Sequence, residues 1–244
     1  YSTGNALITT EKTAHYMLTS VASPRTDAFK RWNNVILDNS GSLSSHAYTK
    51  SLNECFHGTS YFQSGGLGYQ QQLWYAALSS DAVLFMNHPG TTSEQSDMRP
   101  GYWHGNGVFP ALKQEKNVLY GIYALPDSHP VRFVHAYLPV ERFQEVVRDE
   151  QWIFLRKGDG YLAFWCSEKG CAHNDMLFNA EIRYYAEKIA FVVIAGSAKS
   201  DGSFQNFMRE KRALNVSFAF PVLAINQKEI LCYTHYDDAS QVID

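Results

Sequence analysis

The chain has 244 residues, of which 45% are apolar, 14% aromatic and only 18% charged, and its formal net charge is −3. That apolar fraction excludes a disordered chain, and the lack of a basic surplus argues against a sequence-tolerant nucleic-acid binder. No apolar run reaches the roughly 18 residues that a membrane-crossing helix needs.

A chain of this length buries enough surface for its own core. Tyr1 is not an initiator Met, and Tyr1 to Lys12 shows neither a basic n-region nor an apolar h-region. The chain therefore reads as a fragment of a longer protein, with residues 1–244 forming one domain.

Strand signals dominate from the start. Ala6 to Thr10 and His15 to Ser20 are short β-prone runs. A Ser-, Asn- and Gly-rich stretch follows from Pro24 to Ser64, with one apolar patch at Val35-Ile36-Leu37. It reads as a long loop or insertion over residues 24–64, hinged at Ser64-Gly65-Gly66-Leu67-Gly68.

Strands are then expected at Tyr69 to Leu78 and Ala82 to Met86, the second ending at the turn Asn87-His88-Pro89-Gly90. After a polar loop from Thr91 to Pro110, Val118 to Leu125 and Arg132 to Leu138 read as strands. Pro139 is expected to start a short helix, with Phe143, Val146 and Val147 on one face. Trp152 to Arg156 and Tyr161 to Cys166 flank Lys157-Gly158-Asp159-Gly160, a hairpin in which Asp-Gly would supply positive φ.

Ile189 to Ala195 is an almost continuous apolar run, suited to a strand buried on both faces. Ser203 should cap a second helix with Phe204, Phe207, Met208 and Leu214 on its apolar stripe. Three strands, Val216 to Phe220, Val222 to Ile225 and Ile230 to Tyr233, close the chain. Strands do not alternate with helices, so the expected fold is all-β: two packed antiparallel sheets with one or two short helices.

Cys166 and Cys171 are spaced for a small disulfide loop or half of a metal site. The second Cys pair that a zinc ribbon needs is missing, since the others are Cys55 and Cys232. The basic pairs at Arg156-Lys157 and Arg209 to Arg212 read as solvated faces. His135, mid-strand, reads as structural, Asp159 as a turn residue, and Asn215-Val216-Ser217 fits the glycosylation pattern.

No phosphate-binding loop, nucleophile elbow or His-Glu-x-x-His pair is present. The most unusual segment is Arg99-Pro100-Gly101-Tyr102-Trp103-His104-Gly105-Asn106-Gly107. Its aromatic faces suit a pyranose ring, and an Arg can hold a uronate carboxylate in bidentate fashion. The alternative is a loop whose aromatics plug the end of the sandwich. Expected substrate-binding residues are Arg99, Tyr102, Trp103, His104 and Asn106, with Gln72 and Trp74 from one face of a strand. His104, Tyr102 and His88 are the candidates for proton transfer.

The stretch from Tyr69-Gln70-Gln71-Gln72-Leu73-Trp74, through Asn87-His88-Pro89-Gly90 and Arg99 to Gly107, to Arg156-Lys157-Gly158-Asp159-Gly160-Tyr161 resembles the C-terminal β-sandwich of heparinase II/III-like proteins. The resemblance covers roughly Tyr69 to Cys166 well and the rest loosely. It implies a super-sandwich preceded by an N-terminal (α/α) toroid, acting on uronic-acid-containing polysaccharide. Such lyases remove the C5 proton of a uronate and eliminate the 4-linked sugar, mostly with Tyr and His of the toroid.

The family's sandwich usually carries a His-x-His-x-Asp stretch that serves catalysis and zinc. Here the corresponding strand has Gln70, Gln72 and Trp74. No cofactor is therefore expected; zinc enters only through the resemblance. The expected partners are an acidic polysaccharide and the toroid of the same parent chain, with neither nucleic acid nor membrane, in a secreted or periplasmic setting. The competing readings are a non-catalytic carbohydrate-binding module and a purely structural domain.

Overall fold

The computed structural model describes residues 7–23, 71–87, 111–124, 133–173 and 181–233. The expected loop at 24–64 with its hinge, and the polar loop from Thr91 to Pro110, lie outside the described residues.

In chain order the strands begin with β1 (Leu7–Lys12), β2 (Met17–Ser23), β3 (Gln71–Ala77), β4 (Val83–Asn87), β5 (Ala111–Glu115) and β6 (Val118–Ala124). They continue with β7 (Val134–Tyr137), β8 (Glu145–Asp149), β9 (Trp152–Lys157), β10 (Gly160–Cys166), β11 (Cys171–His173), β12 (Glu181–Tyr184) and β13 (Lys188–Ser197). Two short helices follow, α1 (Ala198–Asp201) and α2 (Phe204–Arg212), then β14 (Val216–Ala219), β15 (Val222–Ile225) and β16 (Lys228–Cys232).

The strands form a seven-stranded sheet in the order β1-β2-β3-β4-β7-β12-β11 and a six-stranded sheet in the order β5-β6-β13-β10-β9-β8. Every neighbouring pair is antiparallel, as in β2 with β3, β6 with β13 and β9 with β10. The all-β expectation is therefore met. The expectation of two sheets accounts only for the large ones, because β14, β15 and β16 form a third.

The six-stranded sheet is apolar on both sides because both sides are covered. On β13, Ile189, Phe191 and Val193 face the seven-stranded sheet, where Trp74, Leu84 and Ala136 meet them. Ala190, Val192 and Ile194 point the other way, into a second core with Phe204, Phe207 and Met208 of α2 and Leu223 of β15. This is why the Ile189 to Ala195 run lacks polar alternation. Each fully buried side chain of this size contributes roughly 1.5–3 kcal/mol of transfer free energy.

Gly121 in β6 lies directly opposite Phe191 in β13. A Cβ at Gly121 would fall on the Phe191 ring. The missing side chain lets that ring lie flat over β6, where Trp74 from the facing sheet stacks on it with ring centroids 4.9 Å apart.

The Lys157–Gly160 hairpin forms in the expected register, with Gly160 opposite Lys157. The positive φ, however, falls on Gly158 at 56° and not on Asp159. Gly at the first central position is the pattern of a II′ turn. Ser203 caps α2 as expected, its hydroxyl accepting from the Asn206 backbone N–H at 3.1 Å.

The expected helix from Pro139 is corrected. A single 3-10 turn covers Val140–Arg142, and Glu145–Asp149 is a strand. Val146 pairs with Leu155 and Val147 with Phe154 on β9. The spacing fitted a helix, but adjacent β-branched residues beside an open strand edge favour a ladder.

Candidate functional site

Five connections between described strands pass from one large sheet to the other, and four of them gather at one end of the sandwich. They join β4 to β5, β6 to β7, β10 to β11 and β12 to β13; the fifth, β7 to β8, lies at the opposite end. The registers fix this geometry. Ala111 faces Ile122, Ala124 faces Lys188, and Asn87 faces His135.

The roots of the segment that carries His88, Arg99, Tyr102, Trp103, His104 and Asn106 are thus Asn87 and Ala111, at this crossover end. One buried bond ties the two roots together. Tyr123, next to the partner of Ala111, donates its hydroxyl to the carbonyl oxygen of Met86 at 3.1 Å. The six candidate residues themselves lie outside the described residues.

Trp74 is corrected from the list of sugar-facing residues. It is 5% exposed and packs between the two large sheets. A ring stacked on Phe191 inside the core has no face to offer a sugar. Its indole Nε1–H finds no acceptor among the described residues. Gln72 lies in β3, opposite Ala22 of β2.

The opposite end of the sandwich holds what sequence reading missed. An open pocket of about 270 Å³ forms between the β1–β2 turn and the β3–β4 turn, lined by Lys12, His15, Tyr16, Tyr75 and Ser79 over the apolar floor of Ala77 and Val83. The Thr13 hydroxyl fixes the first turn by accepting from the backbone N–H groups of His15 and Tyr16, each at 3.1 Å. Burial, with Glu11 nearby, pushes the Tyr16 hydroxyl up, and burial does the same to Tyr75. Both therefore stay protonated near neutral pH, and the Tyr75 hydroxyl donates to the Met17 sulfur at 3.6 Å. The polar break Glu11 to Ala14 between two β-prone runs is the signal that marks this turn.

The basic clusters are engaged in ion pairs. Lys157 meets Asp81 at 2.6 Å, Arg156 meets Glu145 at 2.6 Å, and Lys211 meets Asp201 at 3.2 Å. Cys166 is a free thiol, so it is not bonded to Cys171. Its side chain points into the core between the large sheets, where burial pushes its pKa far up. No group of three or more His, Cys, Asp or Glu placed to hold a metal occurs among the described residues.

No family model, no curated protein and no solved structure matches this chain.

Proposed function

We propose that this chain is the C-terminal β-sandwich of a heparinase II/III-like lyase acting on uronic-acid-containing polysaccharide, and that it supports the substrate cleft without catalysing alone. The observation that carries the reading is the convergence of Asn87 and Ala111, the roots of the Arg99-bearing segment, on one end of an antiparallel sandwich. Regular strands and the Tyr123–Met86 bond hold those roots, which is how rigid scaffolds present binding loops.

In this reading Arg99 holds the uronate carboxylate, while Tyr102 and Trp103 stack on the sugar rings. Neutralising the carboxylate favours loss of the C5 proton, because charge that develops beside it is shared with the guanidinium. A base takes that proton, the C4–O bond breaks, a C4=C5 double bond forms, and an acid protonates the departing sugar oxygen. The base and acid belong mainly to the toroid; His104, Tyr102 and His88 are this chain's own candidates.

The test is calorimetric titration of the chain at low salt with polygalacturonate, alginate and heparin. Binding that weakens in Arg99→Ala and Trp103→Ala supports the cleft role. Absence of binding to all three overturns it and leaves a scaffold.

A further inference from the structure

Large apolar side chains on a water-facing surface stand out when the rest of the core is filled. Among the described residues only Val140, Tyr185 and Phe220 are large, hydrophobic and exposed, the latter two at 59% and 40%. Tyr185 and Lys188 bracket the short crossing from β12 to β13, so the two Cα atoms lie within about 11 Å of each other. The Lys188 ammonium sits 4.5 Å from the centre of the Phe220 ring. Phe220 in turn meets Tyr233 at 5.6 Å. On the other side Tyr185 meets Phe133 at 5.5 Å, and the Arg183 guanidinium lies 4.6 Å over Phe133.

Phe220, with the Lys188 ammonium over it, and Tyr185, packed against Phe133, thus both lie at the crossover end, the same end that holds Asn87 and Ala111. An ammonium over a ring face uses its charge but none of its three N–H donors in conventional hydrogen bonds. It can still pair with a carboxylate. The Tyr185 ring offers an apolar face for the C–H side of a pyranose, and its hydroxyl offers a donor.

We propose that Tyr185, Lys188 and Phe220 form a subsite for a carboxylate-bearing sugar, built from residues other than those of the Arg99-to-Gly107 segment. Its ligand class rests on the reading given above; its residues do not. A nucleic acid shares the ring-plus-anion chemistry, but gripping a phosphate backbone takes many cations, and this chain carries a net charge of −3.

The experiment is titration of the full chain with trigalacturonate, and with a single-stranded oligonucleotide as the rival probe. Lys188→Glu is expected to weaken trigalacturonate binding about tenfold, and Tyr185→Ala about five- to tenfold. Lys188→Arg should bind within about twofold of the native chain, since it keeps the charge over Phe220. Both positions are exposed, so the variants fold, and circular dichroism verifies this.

If trigalacturonate binds and Lys188→Glu and Tyr185→Ala leave it unchanged, this subsite is overturned while the cleft reading stands. If both weaken binding and Trp103→Ala does not, the subsite stands and the cleft reading loses its loop. Tighter binding of the oligonucleotide than of trigalacturonate overturns the subsite, as does no binding of either.

Discussion

The Tyr123 hydroxyl on β6 and the Met86 carbonyl on β4 are joined at 3.1 Å across the core between the two large sheets. Tyr123 is 1% exposed, and burial drives its hydroxyl far above the ordinary tyrosine range, so it remains a neutral donor. Tyr123→Phe removes that donor and little else. It should cost about 0.5–1.5 kcal/mol, seen as a lower urea midpoint at an unchanged slope. An unaltered midpoint would show that the bond does not hold the sheets together.

Gly121→Ala should be more damaging. The new methyl lands on the Phe191 ring, which is itself stacked on Trp74 and cannot retreat. Overpacking of this kind costs about 1–3 kcal/mol. Phe191→Leu in the Gly121→Ala background should recover part of the loss, because a smaller side chain opens the space. Additive losses in a double-mutant cycle would break the argument.

The Lys157 ammonium, helped by the Ser79 hydroxyl, holds Asp81 down to about 2 from its ordinary 3.8. A carboxylate whose folded pKa is depressed stabilises the fold above its unfolded pKa, and that contribution is lost as pH falls through the folded value. The window is therefore pH 4 down to pH 2. Asp81 is half exposed, so the contribution is about 0.2–1 kcal/mol after solvent screening. The difference in melting temperature between the native chain and Asp81→Asn should shrink from pH 4 to pH 2. A gap that stays constant over that range would count against the pair.

Cys166 and Cys232 should differ sharply towards iodoacetamide. Cys166 is 1% exposed with its thiol pushed up by burial, whereas Cys232 is only partly covered. The thiolate is the reactive form, so Cys232 should be alkylated first and Cys166 only after unfolding. Peptide mass mapping over time reads this directly; equal labelling rates in the folded chain would contradict the placement of Cys166.

The place of the Lys157–Gly160 hairpin, though not which residue takes the positive φ, was legible from local rules, as were the Ser203 cap and the doubly buried β13. Turn chemistry fixes the Lys157–Gly160 hairpin. A hydroxyl at the N-cap fixes the start of α2. An unbroken apolar run betrays two covered faces. The strands β11 and β12 escaped because they are only three and four residues long, and Glu181 and Arg183 give β12 no apolar signature.

Period-two alternation tells which side chains share a face, but not which face turns inward. It therefore grouped Gln72 with Trp74 without revealing that Trp74 would be claimed by Phe191 across the core. Nor did spacing separate helix from strand at Val146 and Val147; the open edge of β9 decided that. The gathering of four crossings at one end, and the seating of Lys188 over Phe220, arise from pairings between residues far apart in sequence. Local residues set the strands, turns and caps of this protein; the stacking of three layers decided what they bury and what they leave exposed.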